Sequence, residues 1–331
     1  MIGTMIPLRH YRTHVVLPLC LPLALIGCAT PSKTFEPGKV RVTRASWDFQ
    51  GRPGARLTTE HFDIFTTGHD AELIEHLPQF LETTYLFYSS LLPAASETGD
   101  GDERMQTYFF GRRSEWGAFV KTRFPERYPL YRKIPMGAFT EGTTCVAYNI
   151  GRDRTWALLA HEGFHQYVHA RFGDVLPAWL SEGLATYCES VEFRDGRPHF
   201  TPQRNAFRIR HLRQAYAAGT ASSVRQLLDE EAGRLIESIE SSAANAYYAQ
   251  AWALTVYLLR DSGPQYADML PEIARDLQDN TLRVNAQATR AAAPNPAETT
   301  FGQAVFRQYV TDDLDRFESD FNDYVHKLCW K

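Results

Sequence analysis

The sequence predicts an α+β protein in which a small N-terminal mixed sheet layer packs on a mostly helical C-terminal half. Short runs of alternating or continuous apolar residues precede Ile150, as strands require, whereas apolar residues beyond Gly151 recur at helical spacing. The chain is also large and apolar enough to bury a sizeable core: 331 residues, 44% hydrophobic and 13% aromatic. At this length one large domain and two closely packed subdomains both fit.

The N-terminal stretch reads differently. Arg9, His10 and Arg12 precede an apolar run from Val15 to Ile26 that Pro18 and Pro22 interrupt. The run is shorter than the roughly 20 residues that span a bilayer, and it leads into Leu25-Ile26-Gly27-Cys28. This ending resembles the lipobox of bacterial lipoproteins. The resemblance implies that residues 1–27 are a lipoprotein signal peptide and that the Cys28 thiol is acylated at the new N-terminus. Ala29 after the cysteine resembles the pattern that sends lipoproteins to the outer membrane, so the expected location is the cell envelope, facing the periplasm. An ordinary signal peptide with an incidental cysteine is the alternative. Residues 28–55, with Pro31, Pro37, Gly38, Gly51, Pro53 and Gly54, read as a lipid-anchored tether.

Arg9 and Arg12 lie in the leader, so the net charge of −4 becomes more negative in the mature chain, and no nucleic-acid surface is expected. Export leaves Cys145, Cys188 and Cys329 in an oxidising compartment. One disulfide or three buried free thiols both fit, and spacing selects no pair.

Residues 56–152 are expected to form an α/β subdomain. Phe62, Ile64 and Phe65 predict a strand, Ala71 to Leu91 a helix, Met105 to Phe110 a second strand and Ser114 to Phe124 a second helix. Gly137 to Ile150, with Glu141, Gly142 and Thr143 at its middle, predicts a hairpin. Residues 153–331 are expected to form a helical subdomain with helices at Thr155–Arg171, Ala178–Glu189, Arg204–Ala217, Ala244–Arg260 and Asp312–Val325. A short hairpin around Arg194, Asp195 and Gly196 interrupts the series. Asn280 to Thr300, rich in Ala, Asn, Pro and Thr, reads as an exposed excursion. There is no internal repeat of solenoid length.

The chemistry concentrates in His161-Glu162-Gly163-Phe164-His165, inside the first of these helices. Four residues are slightly more than one helical turn, so both imidazoles leave one face and can meet a single ion, with Glu162 beside them. A zinc ion lowers the pKa of a water to roughly 7, within reach of a carboxylate base. A second helical segment, Pro177 to Glu189, carries Glu182 and is placed to bring its carboxylate in as third ligand. Two histidines and a glutamate suit one Zn2+.

His-Glu-x-x-His followed by Trp-Leu-x-Glu-Gly-x-Ala-x-Tyr-x-Glu, at Trp179 to Glu189, resembles the gluzincin metallopeptidases, especially the aminopeptidase family that includes leukotriene A4 hydrolase. The resemblance implies a gluzincin-like zincin fold, zinc held by His161, His165 and Glu182, and Glu162 as the general base. Tyr247-Tyr248-Ala249-Gln250 resembles the family's tyrosine-bearing helix. This implies that Tyr248, with Tyr247 as the fallback, donates a hydrogen bond to the oxygen that gains negative charge. Glu189 lies two helical turns beyond Glu182, and the family pattern implies that it orients a ligand histidine from behind. His169 reads as peripheral, because two histidines and Glu182 already make up the protein's share of ligands. A Gly-x-Met-Glu-Asn-like segment is absent upstream, so aminopeptidase specificity does not follow. Arg204, Arg208, Arg210 and Arg213 read as a solvated basic helix face, with reception of a substrate carboxylate as the alternative.

The expected activity is zinc-dependent hydrolysis of peptide bonds in a peptide or protein substrate. The edge of the 137–150 hairpin is a candidate to pair with an extended chain. The competing expectation is a lipid-anchored, non-catalytic envelope protein that keeps a structural or ligand-binding zinc site.

Overall fold

Strands β1 (Thr43–Phe49), β2 (Arg52–Thr58), β3 (Phe62–Thr66), β4 (Met105–Phe110), β5 (Ala138–Glu141) and β6 (Thr144–Tyr148) form a single sheet in the order β1-β2-β3-β4-β6-β5. They are seen in a computed structural model that describes residues 38–94, 104–134, 137–194, 196–229 and 242–331. Residues 1–27, expected to form a signal peptide, and Cys28 lie outside the described residues. Pairing is antiparallel at β1–β2, β2–β3 and β5–β6 and parallel at β3–β4 and β4–β6. The sheet is therefore mixed, with β5 as one edge.

Alternation explains which way each strand faces. In β3, Phe62, Ile64 and Thr66 are buried while Asp63 and Phe65 are less so. Phe62 and Ile64 join a core completed by helix α1 (Ala71–Leu91), whose N-terminus is capped by Asp70 accepting from Leu73 N at 3.2 Å. The opposite face is covered by α2 (Arg113–Arg123) and the single turn α3 (Tyr128–Tyr131), where Trp116, Phe119 and Val120 meet Phe110, Val146 and Tyr148.

The helical half comprises α4 (Arg152–Phe172), α5 (Ala178–Cys188), α6 (Ala206–Ala217), α7 (Val224–Asp229), α8 (Ser242–Val256), α9 (Met269–Gln278), α10 (Leu282–Ala292), α11 (Phe301–Tyr309) and α12 (Leu314–Trp330). A two-stranded hairpin, β7 (Val191–Arg194) with β8 (Arg197–Phe200), separates α5 from α6. The molecule is thus a mixed α/β protein with a small N-terminal sheet and a helical C-terminal half. One main core draws on β3, β4, α1, α4, α5, α8 and α12, elements from both sides of 152/153.

Two expectations need correction. The segment 28–55, read as a tether, contains β1 and the start of β2. Trp47 and Phe49 pack on Phe65 and Phe110 at 5.5 and 5.3 Å between ring centroids, and Gln50 and Gly51 turn the chain with positive φ. Pro53 pairs with β1 alone, and Gly54 is needed because a Cβ there would stand 2.3 Å from the Thr66 carbonyl oxygen of β3. The segment 280–300, read as an exposed excursion, is mostly exposed but helical in part: it contains α10, which buries little beyond Leu282 and Ala286 and so leaves a weak apolar signature.

Candidate metal centre

The site begins with the placement of α4. Gln166, 1% exposed, donates from Nε2 to the carbonyls of Gln106 and Thr143 at 2.9 and 2.8 Å, tying the helix to the ends of β4 and β6. Thr140 on the edge strand donates to the Glu162 carbonyl at 3.0 Å. From the other side, Tyr88 of α1 lies against Gly163 and donates to the Ala160 carbonyl at 2.7 Å. A Cβ on Gly163 would stand 2.7 Å from that phenolic oxygen, which explains a glycine inside the helix. The chain leaves α4 at Gly173, φ 73°, and re-enters a helix after Pro177.

This path brings three donor atoms together. His165 Nε2 lies 3.2 Å from His161 Nε2, and Glu182 Oε2 lies 3.3 and 3.4 Å from the two nitrogens. Tetrahedral zinc with bonds of about 2.0–2.1 Å sets its donor atoms about 3.3–3.4 Å apart. The triangle therefore fits one such ion. Glu182 Oε2 is also buried, and among the described residues its close polar neighbours are these two imidazole nitrogens, so its charge is offset only by a cation or proton held in the triangle. Among the described residues, this is the one cluster of three potential metal ligands.

The remaining imidazole nitrogens are held from α5 and its end. His161 Nδ1 meets Glu189 Oε1 at 2.9 Å, and His165 Nδ1 meets Ser181 Oγ at 3.3 Å. Both Nε2 atoms are thereby turned toward the shared point. Glu189 is itself gripped: Arg208 donates from Nε to Oε2 at 2.8 Å and from its terminal nitrogen to Oε1, and Asn205 Nδ2 donates to Oε2 at 3.1 Å.

The electrostatics follow from packing carboxylates around these rings. Burial alone would raise the Glu182 pKa, but the charge of His165 and the hydrogen bond of His161 outweigh it and hold the carboxyl well below the usual range. Burial opposes the Glu189 carboxylate too, yet the Arg208 charge and the His161 hydrogen bond pull it down to about 2. For His161, burial disfavours the proton, but Glu182 and Glu189 push its pKa up to about 10. The pocket is built to hold positive charge.

Tyr248 on α8 meets the His161 ring edge-on, centroids 6.1 Å apart. Burial, then the Glu182 charge, raises its pKa well above 10, so the phenol keeps its proton and can donate. Tyr247 is buried beside it, with the two ring centroids 6.0 Å apart. Glu162 is 8% exposed, and its charge contributes to the raised pKa of both Tyr248 and Cys145. His169 lies outside the triangle and pairs with Asp174 at 2.9 Å. A groove of about 490 Å³ opens onto His165 and Glu182, bordered by Thr140 on the edge strand and extending to Val175, Leu228 and Phe301. The thiols of Cys145, Cys188 and Cys329 are all free and buried.

Of the four arginines expected on a solvated face, Arg204, Arg210 and Arg213 are exposed, whereas Arg208 is buried against Glu189. Ser181, Asn205 and Thr140 were not singled out by the sequence either. Asn205 carried one usable signal, since it caps α6 by accepting from Arg208 N at 3.1 Å.

The fold and site define a mixed α/β protein with a candidate two-histidine, one-glutamate metal centre. Residues 155–277 match the model of a family described as a protein of unknown function (DUF1570), a stretch that contains His161, His165, Glu182, Glu189, Arg208 and Tyr248. No curated protein and no solved structure matches the chain.

Proposed function

We propose that this protein is a zinc-dependent peptidase of gluzincin type. The observation that carries the reading is the triangle of His161 Nε2, His165 Nε2 and Glu182 Oε2, with 3.2–3.4 Å edges around a buried carboxylate oxygen. A zinc ion bound by these residues would polarise a carbonyl and acidify a water. Glu162, next to His161 on α4, takes the proton from the attacking water and passes it to the departing amine. Water adds its oxygen to the carbonyl carbon, the C–N bond breaks, and an acid and an amine leave. Tyr248 donates its phenolic proton in a hydrogen bond to the carbonyl oxygen as negative charge gathers there. The groove beside β5 receives the substrate, and the edge of β5 offers main-chain groups to an extended peptide.

The test compares zinc-loaded wild type with Glu162→Gln on a mixed peptide library, after elemental analysis of both proteins. Equal zinc content with hydrolysis reduced by at least about 100-fold in the variant is expected, in line with removal of a general base. Zinc retained without cleavage by the wild type would favour a non-catalytic metal site instead.

A further inference from the structure

Arg208 is a charged side chain drawn almost completely out of water, 9% exposed, on a helix whose other arginines face solvent. Such burial is unfavourable unless the guanidinium is paired and satisfied. Here both prongs of the fork close on the two oxygens of Glu189. Its guanidinium carbon lies over the Tyr248 ring, 5.3 Å from the centroid. Asn205 fixes the arrangement twice, accepting from Arg208 N at 3.1 Å and donating to Glu189 Oε2 at 3.1 Å. The carboxylate so clamped directs Oε1 at His161 Nδ1, 2.9 Å away. A carboxylate at the end of α5 has rotational freedom of its own, and a single contact to an imidazole would not remove it. A two-pronged planar partner does, which a lysine's point charge could not.

We infer that Arg208 is a positioning residue of the metal centre: by clamping Glu189 it fixes the His161 ring, so that Nε2 stands ready beside His165 and Glu182. The inference rests on the metal-centre reading above, but it concerns metal affinity and is independent of turnover. A histidine free to turn about its side-chain torsions must be reordered on binding, so loosening Arg208 weakens the metal without removing a ligand.

The experiment measures the zinc dissociation constant by competition with a chromophoric chelator for full-length wild type, Arg208→Met, Glu189→Gln and the double variant, alongside thermal unfolding of each metal-free protein. Arg208→Met is expected to weaken zinc by about 10–100-fold. Because both residues act through one contact, the double variant should bind no more weakly than the weaker single. Should Arg208→Met fail to fold, Arg208→Lys keeps the charge and loses the fork, and weakening of at least about 3-fold is expected. A purely structural arginine would lower the metal-free melting temperature while leaving the zinc constant within 2-fold of wild type, and that result overturns the inference. So would effects of Arg208→Met and Glu189→Gln that multiply, or a lysine variant equal to wild type. Wild type that fails to bind zinc at all would remove the metal centre itself, and this inference with it.

Discussion

Neither candidate ligand histidine can turn freely, because Glu189 meets Nδ1 of His161 and Ser181 meets Nδ1 of His165. At the scale of single residues, His161, Glu162, His165 and Glu182 could be picked out of the sequence because their grouping follows from helical spacing within two short segments. Glu189 could be placed on the face of Glu182 in the same way. Arg208 could not, since four arginines at helical spacing look alike until the neighbouring helix end is in place. The His61–Glu82 pair was equally silent. Glu82 accepts from the His61 backbone N at 2.9 Å and meets its Nδ1 at 2.6 Å, and the His61 ring stacks on Tyr85 at 3.7 Å. Burial opposes the charge, but the hydrogen bonds from His61 and Thr59 prevail and lower the Glu82 pKa below 4.5. A lowered carboxyl contributes stability above its unfolded-state value and loses it as the pH falls through its folded-state value. Glu82→Gln should therefore cost about 1–2 kcal/mol near pH 7. The gap between the two melting curves should narrow below pH 4.5, where the native carboxyl takes up its proton. A gap that stays constant from pH 7 to pH 3 would show that Glu82 acts by shape alone.

Among elements, the contact that matters most for the site is α5 against α8, since α5 carries Glu182 and α8 carries Tyr248. Gly183 makes that contact close: a Cβ there would stand 2.2 Å from Thr255 Oγ1 and 3.0 Å from the Ala251 carbonyl oxygen. The helices were legible from periodicity, but the reason for a glycine beside the ligand was not, because it lies in a partner about 70 positions further on. Gly183→Ala should push α5 and α8 apart, at a cost of about 1–3 kcal/mol in thermal unfolding. It should also weaken zinc by shifting Glu182. Thr255→Ala in the same chain should return part of both losses, because it removes the nearer obstacle and leaves the carbonyl. No recovery of either loss would mean that the close approach does not set the position of α5.

At the scale of the whole molecule, the change from strand-like to helical patterning near Gly151 was readable, whereas the strand order was not. Nothing local tells β6 to pair with β4 while β5 takes the edge, since that outcome depends on where α2 and α3 return the chain. Nor could the sequence show that one core runs through both halves, because the apolar faces of α1 and α8 name no partner until they meet. This continuity bears on stability. The candidate ligands lie on α4 and α5, which belong to that core, so a bound ion should stabilise the fold as a unit. A ligand that binds only the native state adds about 4.1 kcal/mol when present at 1,000 times its dissociation constant. For a chain of this size each kcal/mol moves the melting temperature by roughly 1–2 °C. Stripping zinc with a chelator should then lower the wild-type melting temperature by about 4–8 °C, and adding zinc back should restore it. Glu182→Gln, which keeps the shape of the side chain but loses the charged donor, should melt at nearly the same temperature with and without zinc. A wild type equally indifferent to chelation and to added zinc would show that the three donor atoms converge for another reason, and the hydrolytic reading would lose its foundation.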